Sequence, residues 1–240
     1  MVRKLQRWGL VLGSQVLSLS LLWAAATSKG MPDLPSDLSL LEARLEREPT
    51  NTVVLIRTAL EYHNQAAFGG EAQTKLLKRS KNCLNTLLEL DPQNTFARTL
   101  LGSATVISAR EPFWPGAKIR RVREGLALMD AALKENPDDA DARFTRASNN
   151  LFLPDLFDRK AVVQSDFAWL QERADRGDFA VDFRQYVYLY HGYAQKRWGQ
   201  KERARQLWEQ GLAVDPTTKV AEELRRELSG HSDLAQIKAK

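Results

Sequence analysis

Three histidines, one cysteine and a short acidic run are the residues of this 240-residue chain that could do catalytic or metal chemistry. His63, His191 and His231 stand far apart, in no HExxH or other ligand spacing. Cys83 is the only cysteine, which excludes an internal disulfide, a CxxC redox pair and a thiolate-rich zinc site. With Leu76, Ser80 and Leu87 at helical spacing around it, Cys83 reads as a small buried hydrophobe. Asp138, Asp139 and Asp141 are expected to favour a helix N-terminus rather than hold a cation. No P-loop, GxSxG or GxGxxG occurs. The chain is therefore expected to use no cofactor or metal, and to bind rather than catalyse.

Residues suited to binding concentrate in Tyr186-Val187-Tyr188-Leu189-Tyr190-His191-Gly192-Tyr193. Exposed tyrosines act as hot spots, because they give large contact area with few rotatable bonds. Some of these rings must also pack against a partner helix. Phe113-Trp114-Pro115 falls in a predicted loop and is expected to plug the end of a helix pair; the alternative is a loop that faces a partner or dips into a membrane. The apolar segment from Leu151 to Phe157 is expected to close the core.

The elements that position these residues begin with a leader. Arg3, Lys4 and Arg7 precede an uncharged run over residues 8 to 28, and the first acidic residue is Asp33. This order matches the positive and apolar regions of a signal peptide, with Ala24-Ala25-Ala26 suited to cleavage after Ala26 and a second candidate cut after Ser28. An uncleaved anchor through residues 8 to 28 is the competing reading, weakened by Gln15 and four serines. Either way the remainder is expected outside the cytoplasm, in the periplasm or its equivalent. The chain has 35 Lys and Arg against 30 Asp and Glu, and setting aside the three leader cations leaves 32. So small an excess does not supply the clustered basic face that nucleic acid needs.

Beyond the leader, one phrase recurs four times. Pro49, Pro92, Pro137 and Pro216 each have leucine four positions earlier, at Leu45, Leu88, Leu133 and Leu212. A polar residue follows, Asn51, Asn94, Asp139 or Thr218, placed to cap a new helix. Small residues recur at matching offsets, Ala59, Gly102 and Ala147 among them. Such self-similarity marks a repeat architecture. Helices are predicted over 37–48, 52–67, 71–90, 95–110, 116–135, 139–152, 159–175, 180–198, 201–214 and 218–228, with no strand.

The unit over residues 185 to 218 resembles the tetratricopeptide repeat (TPR) family. Gly192, Gly199, Ala204, Trp208, Gly211 and Pro216 stand where that family places its small, turn, small, aromatic, small and proline residues. His191 departs from the pattern, where the family usually has leucine. Upstream units resemble it less, since their prolines are 43 and 45 residues apart rather than 34. The extra residues fall between the helices of a pair. The resemblance implies an all-α, right-handed solenoid of antiparallel helix pairs over residues 37 to 229, after a linker at 29–36 and before a polar tail at 230–240.

In that family the first helix of each pair lines a concave groove. The family's inward positions fall here on Tyr186, Leu189, Tyr193 and Lys196, on Phe96, Thr99 and Ser103, and on Asp141, Phe144 and Ser148. Arg143, Arg146, Asn149 and Asn150 invite comparison with the family's carboxylate clamp, but Ser148 stands where the clamp needs asparagine. The resemblance implies a non-catalytic scaffold or adaptor for a partner protein. The alternatives are a solute or glycan binder using the tyrosine-lined groove, and a spacer tethered to the membrane by an uncleaved leader.

Overall fold

The computed structural model describes residues 29, 37–67, 69–111 and 114–230. The leader, most of the linker, the tail beyond Gly230, and Phe113 lie outside the described residues. Among the described residues there are ten α-helices and no strand. They are α1 (Leu38–Arg47), α2 (Thr52–Ala67), α3 (Gln73–Leu90), α4 (Thr95–Ile107), α5 (Pro115–Glu135), α6 (Ala140–Leu151), α7 (Lys160–Arg176), α8 (Val181–Arg197), α9 (Lys201–Val214) and α10 (Lys219–Leu228). Every predicted helix is present. The largest shift is at the end of α4, which tightens into a 3-10 turn over Ser108–Arg110.

The recurring proline phrase does what its chemistry requires. Helices α1, α3, α5 and α9 each end two residues before their proline. Next comes the cap. Asn51 Oδ1 accepts from the amides of Val53 and Val54, Asn94 Oδ1 from Ala97, Asp139 Oδ1 from Ala142, and Thr218 Oγ1 from Ala221. Each satisfies amides that the first turn of the following helix leaves without an intrahelical partner.

No proline ends α7. Gly177 takes φ +80° there, its amide bonding Ala174 O while the amide of Asp178 bonds Arg173 O. This left-handed glycine closure is the other common way to end a helix. It explains why Pro137 and Pro216 lie so far apart: two helix pairs, α6 with α7 and α8 with α9, come between them in the chain, and the first ends in glycine.

The contacts divide the described residues into two compact units, 37–142 and 143–230, with the boundary in the first turn of α6. In the first, each helix from α1 to α5 packs on the next, and α2 also touches α4. Its core includes Leu41, Leu60, Leu84, Leu100 and Met129. Cys83 is buried, and burial pushes its thiol up to about 11, so it is an unreactive core residue as expected. Backbones meet where α4 crosses α5: a Cβ on Gly102 would lie 2.7 Å from the carbonyl oxygen of Gly125.

In the second unit α7, α8, α9 and α10 pack in succession, and α10 also returns to α8. Val220, Ala221, Leu224 and Glu227 form the buried stripe of α10, leaving its other faces charged. Leu151 and Leu153 are buried in the segment expected to close the core, while Leu156 is exposed.

Candidate binding site

Helix α8 carries the tyrosine-rich stretch and is buried on every side: of the residues from Phe183 to Ala194, only Arg184 is not buried. A helix covered all round belongs to a core, and one-sided periodicity is not expected of it. Its aromatics build a continuous cluster. Phe144 of α6 lies at its centre, with ring centroids 5.3 Å from both Phe183 and Tyr190. Tyr190 continues to Tyr193 at 5.7 Å, and Tyr193 to Trp208 of α9 at 5.9 Å. His191 stacks on Phe167 of α7 at 5.6 Å.

Polar tips fix this helix to its neighbours. Tyr188 donates to Asp175 Oδ1 (2.6 Å), and Gln185 Nε2 donates to the carbonyls of Gly211 (3.1 Å) and Asp215 (2.6 Å). Trp208 Nε1 donates to Leu189 O (3.1 Å), and this bond sets the indole directly against Gly192. A Cβ on Gly192 would meet Trp208 Cδ1 at 2.6 Å and Cε2 at 2.7 Å, distances no side-chain carbon tolerates. We expect Gly192→Ala to lower stability by about 1–3 kcal/mol, the usual cost of overpacking. Urea unfolding followed by tryptophan fluorescence checks this; an unchanged midpoint would refute the tight contact.

The family register therefore falls differently from the expected groove of aromatic anchors. Tyr186 is 3% exposed, Leu189 0% and Tyr193 6%. Phe144 and Thr99 are also fully covered, and Phe96 is half-buried. As described, Tyr193 and Phe144 are engaged in the ring cluster and do not present hot-spot surface. Lys196 is the most accessible of the α8 set, with 35% of its side chain exposed; it pairs with Glu227 of α10 (Nζ–Oε2 2.9 Å) and lies 5.2 Å from the Trp208 ring.

Burial holds the phenols of Tyr186, Tyr190 and Tyr193 above their ordinary range, and nearby Glu223 adds to this at all three. Neutral phenols that cannot ionise are suited to hydrogen bonding and unsuited to proton transfer. Glu223 and Glu227 both stand on α10, and no motif in the sequence marks them as neighbours of the tyrosines. The spacing does carry a signal for burial: Glu227 continues the buried stripe Val220, Leu224.

In the first unit the corresponding helices are α2 and α4. His63 and Ser103 bridge them, Nε2 to Oγ, at 2.8 Å. A polar stripe runs along α2 through Arg57, Glu61 and Asn64, all buried. Glu61 Oε2, Asn64 Nδ2 and, on α4, Thr99 Oγ1 are buried atoms with no hydrogen-bond partner.

Arg143 and Arg146 do hold a carboxylate, but one of the protein's own. Asp166 of α7 accepts from Arg143 Nη1 (2.9 Å) and from Arg146 Nε and Nη2 (2.8 Å each), and its side chain is wholly buried. Trp114 is 73% exposed at the start of α5, which does not fit the expected plug. Among the described residues no group of three or more His, Cys, Asp or Glu could hold a metal ion.

No family model and no curated protein sequence matches the chain. In structure it is similar to the crystal structure of a thermophilic TPR protein from Thermus thermophilus. The TM-score is 0.59 at 16% identity, over 81% of this chain and 88% of that one. With helix pairs ended by proline or glycine and capped by Asn, Asp or Thr, the chain has an all-α, TPR-like repeat fold.

Proposed function

We propose that the protein is a non-catalytic scaffold of the cell envelope that holds an extended segment of a partner protein along the first helices of its pairs. A TPR-like fold is in general a protein-interaction scaffold. The observation that carries the peptide reading is the group of unpaired polar atoms on α2 and α4: an acceptor at Glu61 Oε2, a donor at Asn64 Nδ2 and a hydroxyl at Thr99. A buried polar atom left without a partner costs about 1–3 kcal/mol. All three atoms are closed to solvent as the helices stand, so the segment is taken to reach them where α2 and α4 part on binding, its main-chain N–H and C=O groups then satisfying all three kinds. The basic-then-apolar leader supports a location outside the cytoplasm.

The test uses opposite signs. Thr99→Val removes the orphan hydroxyl while keeping its shape, so the free protein should gain about 1 kcal/mol in urea unfolding. The same change should weaken partner capture several-fold, read as the yield of a defined crosslink from a photoreactive residue at Phe96 in intact envelopes. If Thr99→Val destabilises the free protein, the hydroxyl is already partnered and the reading falls. It falls equally if the crosslink yield is unaffected.

A further inference from the structure

The prolines of the first unit are 43 and 45 residues apart, and the additional residues form structure of their own. Helices α3 and α5 are 18 and 21 residues long, against 14 in α9. All three end two residues before a proline, so the additional turns lie at the N-terminal ends of α3 and α5. Between those ends and the turn after α4 there is a groove of about 450 Å³, within the size range of small-molecule sites. It lies wholly within the first unit, apart from the faces of α2 and α4 treated above.

Its lining is polar and unevenly charged. Lys78 and Lys81 stand one turn apart on α3, with Asn82 and Asn85 beside them and Thr105 of α4 contributing a hydroxyl. The other charges are matched. Arg121 pairs with Glu111 (3.1 Å) and donates to the carbonyl of Ser108 (2.8 Å), while Glu124 pairs with Arg120 (3.6 Å). Neither lysine stands within ion-pair distance of a described carboxylate. Lys81 is also half-buried, and its ammonium is held below the usual lysine range by desolvation and then by the neighbouring Arg121, with the carboxylates of Glu111 and Glu124 opposing. The two carboxylates do not offset the desolvation and the neighbouring cation, since the net direction stays downward, and an incoming anion relieves both.

We propose that this groove binds a small hydroxylated anion, a sugar-sized molecule bearing a carboxylate or phosphate, with Lys81 and Lys78 taking the charge and Asn82, Asn85 and Thr105 the hydroxyls. The two ammoniums select a negative group without demanding bidentate geometry, since lysine acts as a point charge. The amides both donate and accept, which suits hydroxyls and carries little preference for a bare ion.

The experiment titrates the full chain with glucuronate, glucose 6-phosphate, glucose and inorganic phosphate at constant ionic strength, by isothermal calorimetry. Saturable binding of at least one charged sugar is expected, with glucose and phosphate each at least tenfold weaker. Lys81→Met should weaken that binding at least tenfold while leaving the helical circular dichroism unchanged, and Asn85→Ala should weaken the sugar more than phosphate. Lys201→Met, a change at an exposed residue of α9 that is no part of the lining, serves as the control and should leave binding intact. The proposal is overturned if no charged sugar saturates, or if Lys81→Met binds as the parent does. Phosphate binding as tightly as glucose 6-phosphate would overturn the assignment to a sugar-like ligand.

Discussion

Asp166→Ala should destabilise the protein by about 3–5 kcal/mol, enough to remove a large part of the stability of an ordinary domain. Its carboxylate is wholly buried and accepts three bonds, from Arg143 Nη1 and from both Nε and Nη2 of Arg146. The two guanidiniums keep only 14% and 15% of their side-chain exposure. Removing the carboxylate takes away the buried negative charge that both partly desolvated guanidiniums face, and the loss comes from that, more than from the bonds themselves. Arg143 also lies 4.5 Å from the Trp169 ring centroid, where Arg173 approaches to 3.5 Å, so the tryptophan does not replace the missing negative charge. Asp166→Asn keeps the volume and one acceptor, and should cost less than Asp166→Ala. Urea unfolding of the two variants, with Arg146→Met in a double-mutant cycle, measures the coupling. An Asp166→Ala loss under about 1 kcal/mol would show an exposed-pair energy and contradict the burial.

This ion cluster shows where sequence was informative and where it was not. Arg143 and Arg146 were visible as a pair capable of holding a carboxylate, yet the acceptor lies on the next helix, twenty residues or more along the chain. Helix ends were legible because their causes are local. A proline two residues past each end, and an Asn, Asp or Thr whose side chain reaches the next amides, act within a single turn. The end of α7 has no proline, and Gly177 does there what proline does elsewhere; the predicted end at 175 falls one residue short of Arg176.

Side-chain facing was the least legible property. The family register selects Tyr186, Leu189 and Tyr193 as inward residues, and a surface helix would indeed expose them. Helix α8 is covered on all sides, however, so its composition is aromatic in every direction and no period distinguishes anchor from core. Tyr190 and Trp208 decide the matter by clamping Tyr193 between them, a contact set by three-dimensional packing. The unpaired atoms of Glu61, Asn64 and Thr99 were equally silent in sequence. Each is an ordinary polar residue until the helices on either side remove its water.

Below neutral pH the two described histidines should make the protein lose stability before its carboxylates do. His63 is pushed down to about 4 chiefly by burial, with a hydrogen bond to Asn64 opposing and the charge of Arg110 assisting. His191 falls to about 4 for the same first reason, with Arg203 assisting and Asp175 opposing. In the unfolded chain both return to about 6.5, so between about pH 6.5 and 4 the unfolded state binds more protons than the folded one. Stability is therefore full above about 6.5 and declines as pH falls toward 4, by up to about 3 kcal/mol for each histidine. The exposed carboxylates held low by their partners, Asp37, Asp215 and Glu135, release their contributions only at lower pH. Unfolding by urea at pH 7.5, 6, 5 and 4.5 should show the decline in the parent protein. His191→Leu, which restores the residue usual in TPR sequences and removes the unpaired Nδ1, should flatten it and raise stability at pH 5. His63→Gln should flatten it too, at some cost from disturbing the bridge to Ser103. If both variants decline in parallel with the parent, the protons are taken up elsewhere and the two imidazoles are not the groups that set the acid limit of the fold.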